Sequence, residues 1–280
     1  MRKVRFANSK ALALIRSSHP IPCLAVALFS GLLAIGLGLP MERAGLIFAA
    51  VLLQQISVGL SNDWIDYERD VAANRTDKPT VSGLVKVSWL RNGSLFAIAL
   101  AIVTSLAMGS SAVLVMLLML LAGWSYNLGM KLNWLSPIPY AVGFGTIPIF
   151  VGMAATDPFW VEPWIVMAAA LLGVSAHFAN VLPDMQADKL TGVRALPHLM
   201  GQRLSAVVIS LSALFATLLV VTQSRNLPAE VAAAGLAATV LLVGIASLLS
   251  LRKQPPRIAF FLLILASLVN VILLMLGTYK

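Results

Sequence analysis

Asn62-Asp63-Trp64-Ile65-Asp66-Tyr67-Glu68-Arg69-Asp70 interrupts an otherwise apolar chain, and Arg75, Lys78 and Pro79 follow it. Between 62 and 79 lie five acidic residues: Asp63, Asp66, Glu68, Asp70 and Asp77. Asn62, Asp66 and Asp70 recur at i, i+4 and i+8. On a helix rising about 1.5 Å per residue this places three oxygen-bearing side chains on one face. Carboxylates in one stripe repel each other and call for a counterion. Mg²⁺ suits them because it takes carboxylate and phosphate oxygens together.

The pattern occurs twice. Asn180, Asp184 and Asp188 repeat Asn62, Asp66 and Asp70 at a constant offset of 118 residues, and Pro197 and Gly201 repeat Pro79 and Gly83 at the same offset. Five matched positions without a gap indicate an internal repeat. The expectation is two halves, each carrying one acidic stripe at its mouth, with the stripes face to face.

The surrounding composition is that of a membrane protein. Of 280 residues, 59% are hydrophobic and 11% charged, with a mean hydropathy of +0.90; a soluble domain carries about 25% charged residues. The net charge of +9 sits in the loops between apolar runs, which argues against nucleic acid as a partner. The single cysteine, Cys23, allows no internal disulfide and no thiolate cluster for zinc. Cys23 reads as a small buried hydrophobe.

Residues 1–20 form a basic, partly amphipathic lead-in carrying Arg2, Lys3, Arg5, Lys10 and Arg16, expected to lie along the membrane surface. Nine apolar runs follow, near 21–39, 43–61, 91–109, 111–128, 137–155, 164–182, 204–222, 230–250 and 257–277. Each approximates the about 20 residues a helix needs to cross the hydrocarbon core. The fold class is therefore all-α: a polytopic bundle of about nine transmembrane helices in two repeat-related halves, read as one domain over 21–280. No cleavage site follows the run at 21–39, so that run is expected to be retained.

With the N-terminus inside, 17 of the 20 Lys and Arg residues fall on the inner side, leaving Arg43, Arg225 and Lys280 outside. This puts the motif loops, about 62–90 and 183–203, in the cytoplasm. Arg75, Lys78, Lys131, Lys189 and Arg194 flank the stripes, and a diphosphate needs such cations opposite its metal. Lys86, Arg91, Arg203 and the 252–257 cluster read as positive-inside decoration. His19 and His198, beside Pro20 and Pro197, read as structural. His177 reads equally as an intramembrane functional group or as a bond to a neighbouring helix. Gln54 and Gln55 either line the same cavity or bond between helices. Trp64, Tyr67, Trp124, Tyr126, Tyr140 and Phe144 could face a cation. Trp160 and Trp164 fit an interfacial belt. Pro183 should kink its helix.

These residues resemble the signatures of the UbiA superfamily of intramembrane prenyltransferases. Its NDxxDxxxD motif, followed by a basic segment ending in Pro, is matched by Asn62 through Pro79. Its second motif, followed by Gly, is matched by Asn180, Asp184, Asp188 and Gly192. Tyr126 and Lys131 match a Tyr-x₄-Lys element, and the resemblance covers essentially the whole chain. Lys78 stands where the family often has Arg, and Pro183 where quinone-pathway members often have Arg.

The resemblance implies that Asn62, Asp66, Asp70, Asn180, Asp184 and Asp188 hold Mg²⁺ against an isoprenyl diphosphate. Asp66, Asp70, Asp184, Asp188, Lys131 and Tyr126 are the implied catalytic set, and Arg75, Lys78, Lys131, Lys189 and Arg194 would bind the diphosphate. The implied reaction breaks the allylic C–O bond to give a carbocation, which a small acceptor captures; an aromatic quinone precursor is expected, in a bacterial cell membrane. The alternatives are a non-aromatic lipid or sugar-phosphate acceptor, and a cation exchanger, which would place its acids near the membrane midplane.

Overall fold

The computed structural model describes residues 10–185, 188 and 192–278. Helix α1 (Lys10–Ser17) meets α2 (Pro20–Gly36) at a 58° bend. There follow α3 (Met41–Ile65), the short α4 (Tyr67–Ala72), α5 (Val87–Leu106), α6 (Ser110–Leu128) and α7 (Ile138–Met153). The chain ends with α8 (Pro163–Val181), α9 (Leu196–Gln223), α10 (Ala229–Ser250) and α11 (Ile258–Thr278). Among the described residues there is no strand.

Each of the nine expected apolar runs coincides with a helix. By length and composition, however, seven qualify as membrane spans, and up to eight if α1 and the bent α2 count as one. The remaining helix, α7, has 16 residues, short of the about 20 that span a bilayer unaided. Large apolar side chains such as Phe96, Leu106, Leu114, Leu121 and Leu248 lie exposed on the outside. Only lipid makes such a surface favourable, so this is an integral, multi-pass membrane protein.

The long helices close into a ring. Each packs against the next in chain order, with α3 passing over the short α4 to α5, and α11 returns to α2. Inside the ring, Val51, Met116, Met119 and Phe150 form part of the largest buried apolar cluster. Polar bonds pin neighbouring helices where lipid offers no competing water: Trp124 Nε1 donates to Ser57 Oγ at 3.0 Å, and Ser175 Oγ to the Ile209 carbonyl at 3.0 Å.

The repeat holds in three dimensions. Helices α3, α5, α6 and α7 recur as α8, α9, α10 and α11 at close to the sequence offset. Gly83 and Gly201, which match at that offset, both adopt left-handed backbone, at φ 75° and 77°. Each lies where the chain turns toward the second helix of its half, a conformation that glycine adopts without steric cost.

Boundaries differ from expectation where polar residues sit inside helices. α9 is broken at Gly201: a short helical segment from Leu196 precedes the break, and the apolar helix beyond it takes in Gln202 and Arg203, two residues ahead of the expected start near 204. The first stripe is not one smooth helix: α3 ends at Ile65 and α4 starts at Tyr67, with Asp66 at the joint. The backbone nevertheless stays close to helical, since the Asp66 N–H donates to the Asn62 carbonyl at 3.0 Å and the Asp70 N–H to Asp66 at 2.8 Å. Pro183 does not kink a continuing α-helix; α8 stops at Val181 and Leu182–Asp184 tightens into a single 3₁₀ turn.

Candidate active site

Both stripes open on one cavity of about 760 Å³, a volume typical of small-molecule sites. Asn62, Asp66 and Asp70 line it from one half, Asn180, Asp184 and Asp188 from the other. Away from the stripes its wall is largely apolar, with Val26, Phe29, Ile147, Phe260 and Ile264. The cavity thus has a charged end and an oily end.

At the charged end the carboxylates are already engaged by cations. Lys131 Nζ sits 2.6 Å from Asp66 Oδ1 and 2.7 Å from Oδ2, and Arg69 approaches the same carboxylate at 2.7 Å. Burial lowers the Lys131 ammonium's pKa, and Asp66 partly offsets that. Arg257, which charge patterning alone assigned to loop decoration, lines the cavity 3.7 Å from Asp184. Asp188 lies 3.6 Å from His198.

Asp70 is different. It is buried, its Oδ2 has no hydrogen-bond partner among the described residues, and burial raises its pKa, with Asp66 and Asp63 adding to the effect against Lys78. An orphaned carboxylate oxygen facing a set of hard oxygen donors is what a divalent cation would satisfy. Among the described residues no three acidic, histidine or cysteine side chains already converge at cation-binding separation. The donor chemistry fits a metal, although the ligands are not drawn together around one.

The diphosphate-binding candidates are distributed unevenly. Arg75, Lys78 and Lys131 line the cavity. Arg75 is bonded by Asp77, at 3.1 and 3.3 Å, which lowers the Asp77 carboxyl's pKa and raises that of the guanidinium. Lys78 bonds the buried Asp63. Arg194 is exposed and outside the cavity lining; its backbone N–H donates to the Leu132 carbonyl at 3.1 Å. Lys189 lies outside the described residues.

Tyr126 belongs to a ring cluster. Its ring meets Tyr140 at 5.1 Å and His177 at 5.7 Å between centroids, and Tyr140 stacks on Phe144 at 6.1 Å. His177 also bonds Ser136 Oγ at 3.0 Å, so it ties α8 to the segment before α7. Trp64 and Trp124 instead meet edge to face at 6.2 Å, outside the lining of the cavity.

Two polar residues were given no role of their own by the sequence, although Asp63 was counted among the acids of the first stretch. Asn127, buried beside Tyr126, accepts from Asn62 Nδ2 at 3.0 Å and donates to Val58 O and Ser61 Oγ, each at 2.8 Å. It orients the first residue of the first stripe. Asp63 is 1% exposed and held by Lys78 and His19. For Asn127 the signal in the sequence was its adjacency to Tyr126; Asp63 already stood in the acidic stretch beside Asn62.

Comparison with known proteins agrees with this architecture. The model of the UbiA prenyltransferase family matches residues 23–268. Bacteriochlorophyll synthase 33 kDa chain from Cereibacter sphaeroides is 27% identical over 190 residues, covering 65% of this chain and 62% of that protein, a little under two thirds of its length. Digeranylgeranylglyceryl phosphate synthase from Thermococcus sibiricus is 26% identical over 219 residues, covering 72% of this chain and 74% of its own. A solved UbiA homolog from Archaeoglobus fulgidus, bound to DMAPP and Mg²⁺, shares the fold with a TM-score of 0.73 at 15% identity, covering 94% of this chain and 97% of that one.

Proposed function

The chain belongs to the UbiA prenyltransferase family, and from that premise we propose that it transfers an isoprenyl group from an isoprenyl diphosphate to a small acceptor in a Mg²⁺-dependent reaction. One observation carries the reading: two repeat-related acidic stripes with interleaved cations form one end of a cavity whose other end is apolar. An isoprenyl diphosphate has this polarity along its length. The solved relative bound to DMAPP and Mg²⁺ supports the same assignment.

Asn62, Asp66, Asp70, Asn180, Asp184 and Asp188 would hold Mg²⁺, with Asp70 Oδ2 the oxygen most in need of it. When bound, Mg²⁺ supplies Lewis-acid stabilisation of the departing pyrophosphate. The protein's own cations do the rest of the charge work. Lys131, Lys78 and Arg75 stand at the cavity's charged end, where the leaving oxygens gather negative charge as the allylic C–O bond breaks. Arg257 joins them on the opposite stripe. The apolar wall excludes water from the allylic cation, and Tyr126, Tyr140 and Phe144 in the cavity lining would offer ring faces to it. The acceptor's nucleophilic atom then bonds to the isoprenyl carbon and loses its proton to solvent or to pyrophosphate.

The acceptor that the family resemblance implies is an aromatic quinone precursor. The relatives' names support other classes: a chlorophyll-type ring and, within the non-aromatic lipid alternative, a prenylated glyceryl phosphate. The Lys and Arg distribution supports stripes that face the cytoplasm, and we place the protein in a bacterial cell membrane.

The test is transfer by the purified chain in lipid vesicles. Labelled prenyl diphosphates of several lengths are offered with phenolic acids, a chlorin and a geranylgeranylglyceryl phosphate. Mg²⁺-dependent prenylation of one class, abolished by EDTA, is the expected result. Cation flux across the same vesicles with no transfer to any acceptor would favour the exchanger instead.

A further inference from the structure

The corner between α1 and α2 reaches into the rim of the cavity, and it is built to stay there. His19 adopts the left-handed region, φ 53° and ψ 61°, which side chains other than glycine's rarely occupy without support. Cys23 Sγ donates to the Ser18 carbonyl at 2.9 Å. On the facing helix, a Cβ added at Gly59 would lie 2.3 Å from that carbonyl oxygen. Only glycine in α3 lets the corner approach so closely.

That seating delivers one polar contact. His19 Nε2 lies 3.1 Å from Asp63 Oδ1, and Lys78 Nζ bonds the same oxygen. Asp63 is 1% exposed, whereas the His19 side chain is 44% exposed. A buried carboxylate is secured only when several donors surround it. Lys78 comes from the loop after the first stripe, and Lys78, Asp63 and His19 all line the cavity. Beside proline at a helix entrance, His19 looked merely structural; its side chain instead completes a three-residue chain that ends at a cation facing the substrate end.

We propose that His19 is a positioning residue for diphosphate capture: by donating to Asp63 it fixes the carboxylate that holds Lys78 at the cavity's charged end. The inference depends on the diphosphate reading of this site. In it the N-terminal corner is part of the binding machinery rather than only a surface anchor. It predicts that His19 acts through Lys78 and not beside it.

The experiment measures binding of inorganic pyrophosphate with Mg²⁺ by calorimetry, and transfer kinetics, on the detergent-purified full chain. The variants are His19→Ala, His19→Gln, Lys78→Ala and the double variant His19→Ala/Lys78→Ala. Loss of His19 should weaken pyrophosphate affinity about tenfold, within the coupling range of residues in one network, and raise KM for the prenyl diphosphate while leaving kcat within about threefold. Glutamine, whose amide can donate to Asp63, should restore most of the affinity. The double variant should bind no more weakly than Lys78→Ala alone.

Unchanged affinity in His19→Ala would overturn the proposal. So would a double variant whose loss is the product of the two single losses, since independent action gives that result. If both His19 variants fail to fold, as judged by size exclusion and melting, His19 serves the fold and the proposal is likewise overturned. A wild-type chain that ignores Mg²⁺-pyrophosphate would remove the diphosphate reading itself, and this inference with it.

Discussion

Lys131 and Asp66 form a buried charged contact at the site, 2.6 Å apart, with Arg69 on the same carboxylate. Removing Lys131 leaves Asp66 with Arg69 as its remaining cation. Lys131→Met should cost about 1–2 kcal/mol of stability in EDTA, less than the loss for a fully orphaned buried charge. Added Mg²⁺ should raise its melting temperature more than it raises that of wild type, because the cation replaces the lost positive charge; melting curves with and without metal check this. Asp77 gives the opposite case. Its bond to Arg75 depresses its carboxyl below the usual range, so the stabilisation it confers is present above the unfolded pKa and disappears as pH falls through the folded one. Asp77 is largely exposed, so solvent screening reduces the effect to about 0.5 kcal/mol. Asp77→Asn should melt within about 2 °C of wild type at pH 7, and any difference should vanish in strong acid. Neither outcome could be read from spacing alone, because the partners of Asp66 and Asp63 come from 65 residues downstream and from the N-terminal corner.

At the level of elements, the repeat supplies a paired prediction. Gly83 and Gly201 share left-handed backbone, and a Cβ on either meets nothing within 4 Å. Substitution by alanine is therefore penalised by backbone conformation alone, about 1 kcal/mol at each site and similar at both; denaturation of Gly83→Ala and Gly201→Ala measures it. Helix positions were legible because lipid-facing faces need long apolar runs, and each of the nine runs contains a helix. Helix ends were less legible. Gln202 and Arg203 look like loop but begin the long part of α9 just after the break at Gly201. The bend between α1 and α2 left only prolines as a trace, and its real determinants, Gly59 and Asp63, lie on another helix. The six stripe residues, expected to face each other, line one cavity; Arg257, read as loop decoration, lines it too, and nothing in sequence marks a loop arginine that returns to face Asp184.

For the whole molecule, the asymmetry of Lys and Arg predicts orientation. The only cysteine, Cys23, is buried, so introduced cysteines report cleanly. Ser82→Cys, at an exposed position near the first stripe, should react with an impermeant maleimide only after the membrane is opened; Asn226→Cys, exposed between α9 and α10, should react in intact cells. The larger claim is that two halves of one ring combine their stripes on a single diphosphate. Groups that act as one unit are non-additive when removed. The most direct measurement is the rate of Mg²⁺-dependent prenyl transfer in Asp66→Ala, Asp184→Ala and the double variant. Each single change should slow transfer by about 100-fold or more, and the double should be little slower than the worse single. Near wild-type transfer in either single variant would contradict a shared site and leave one stripe without a part in the reaction.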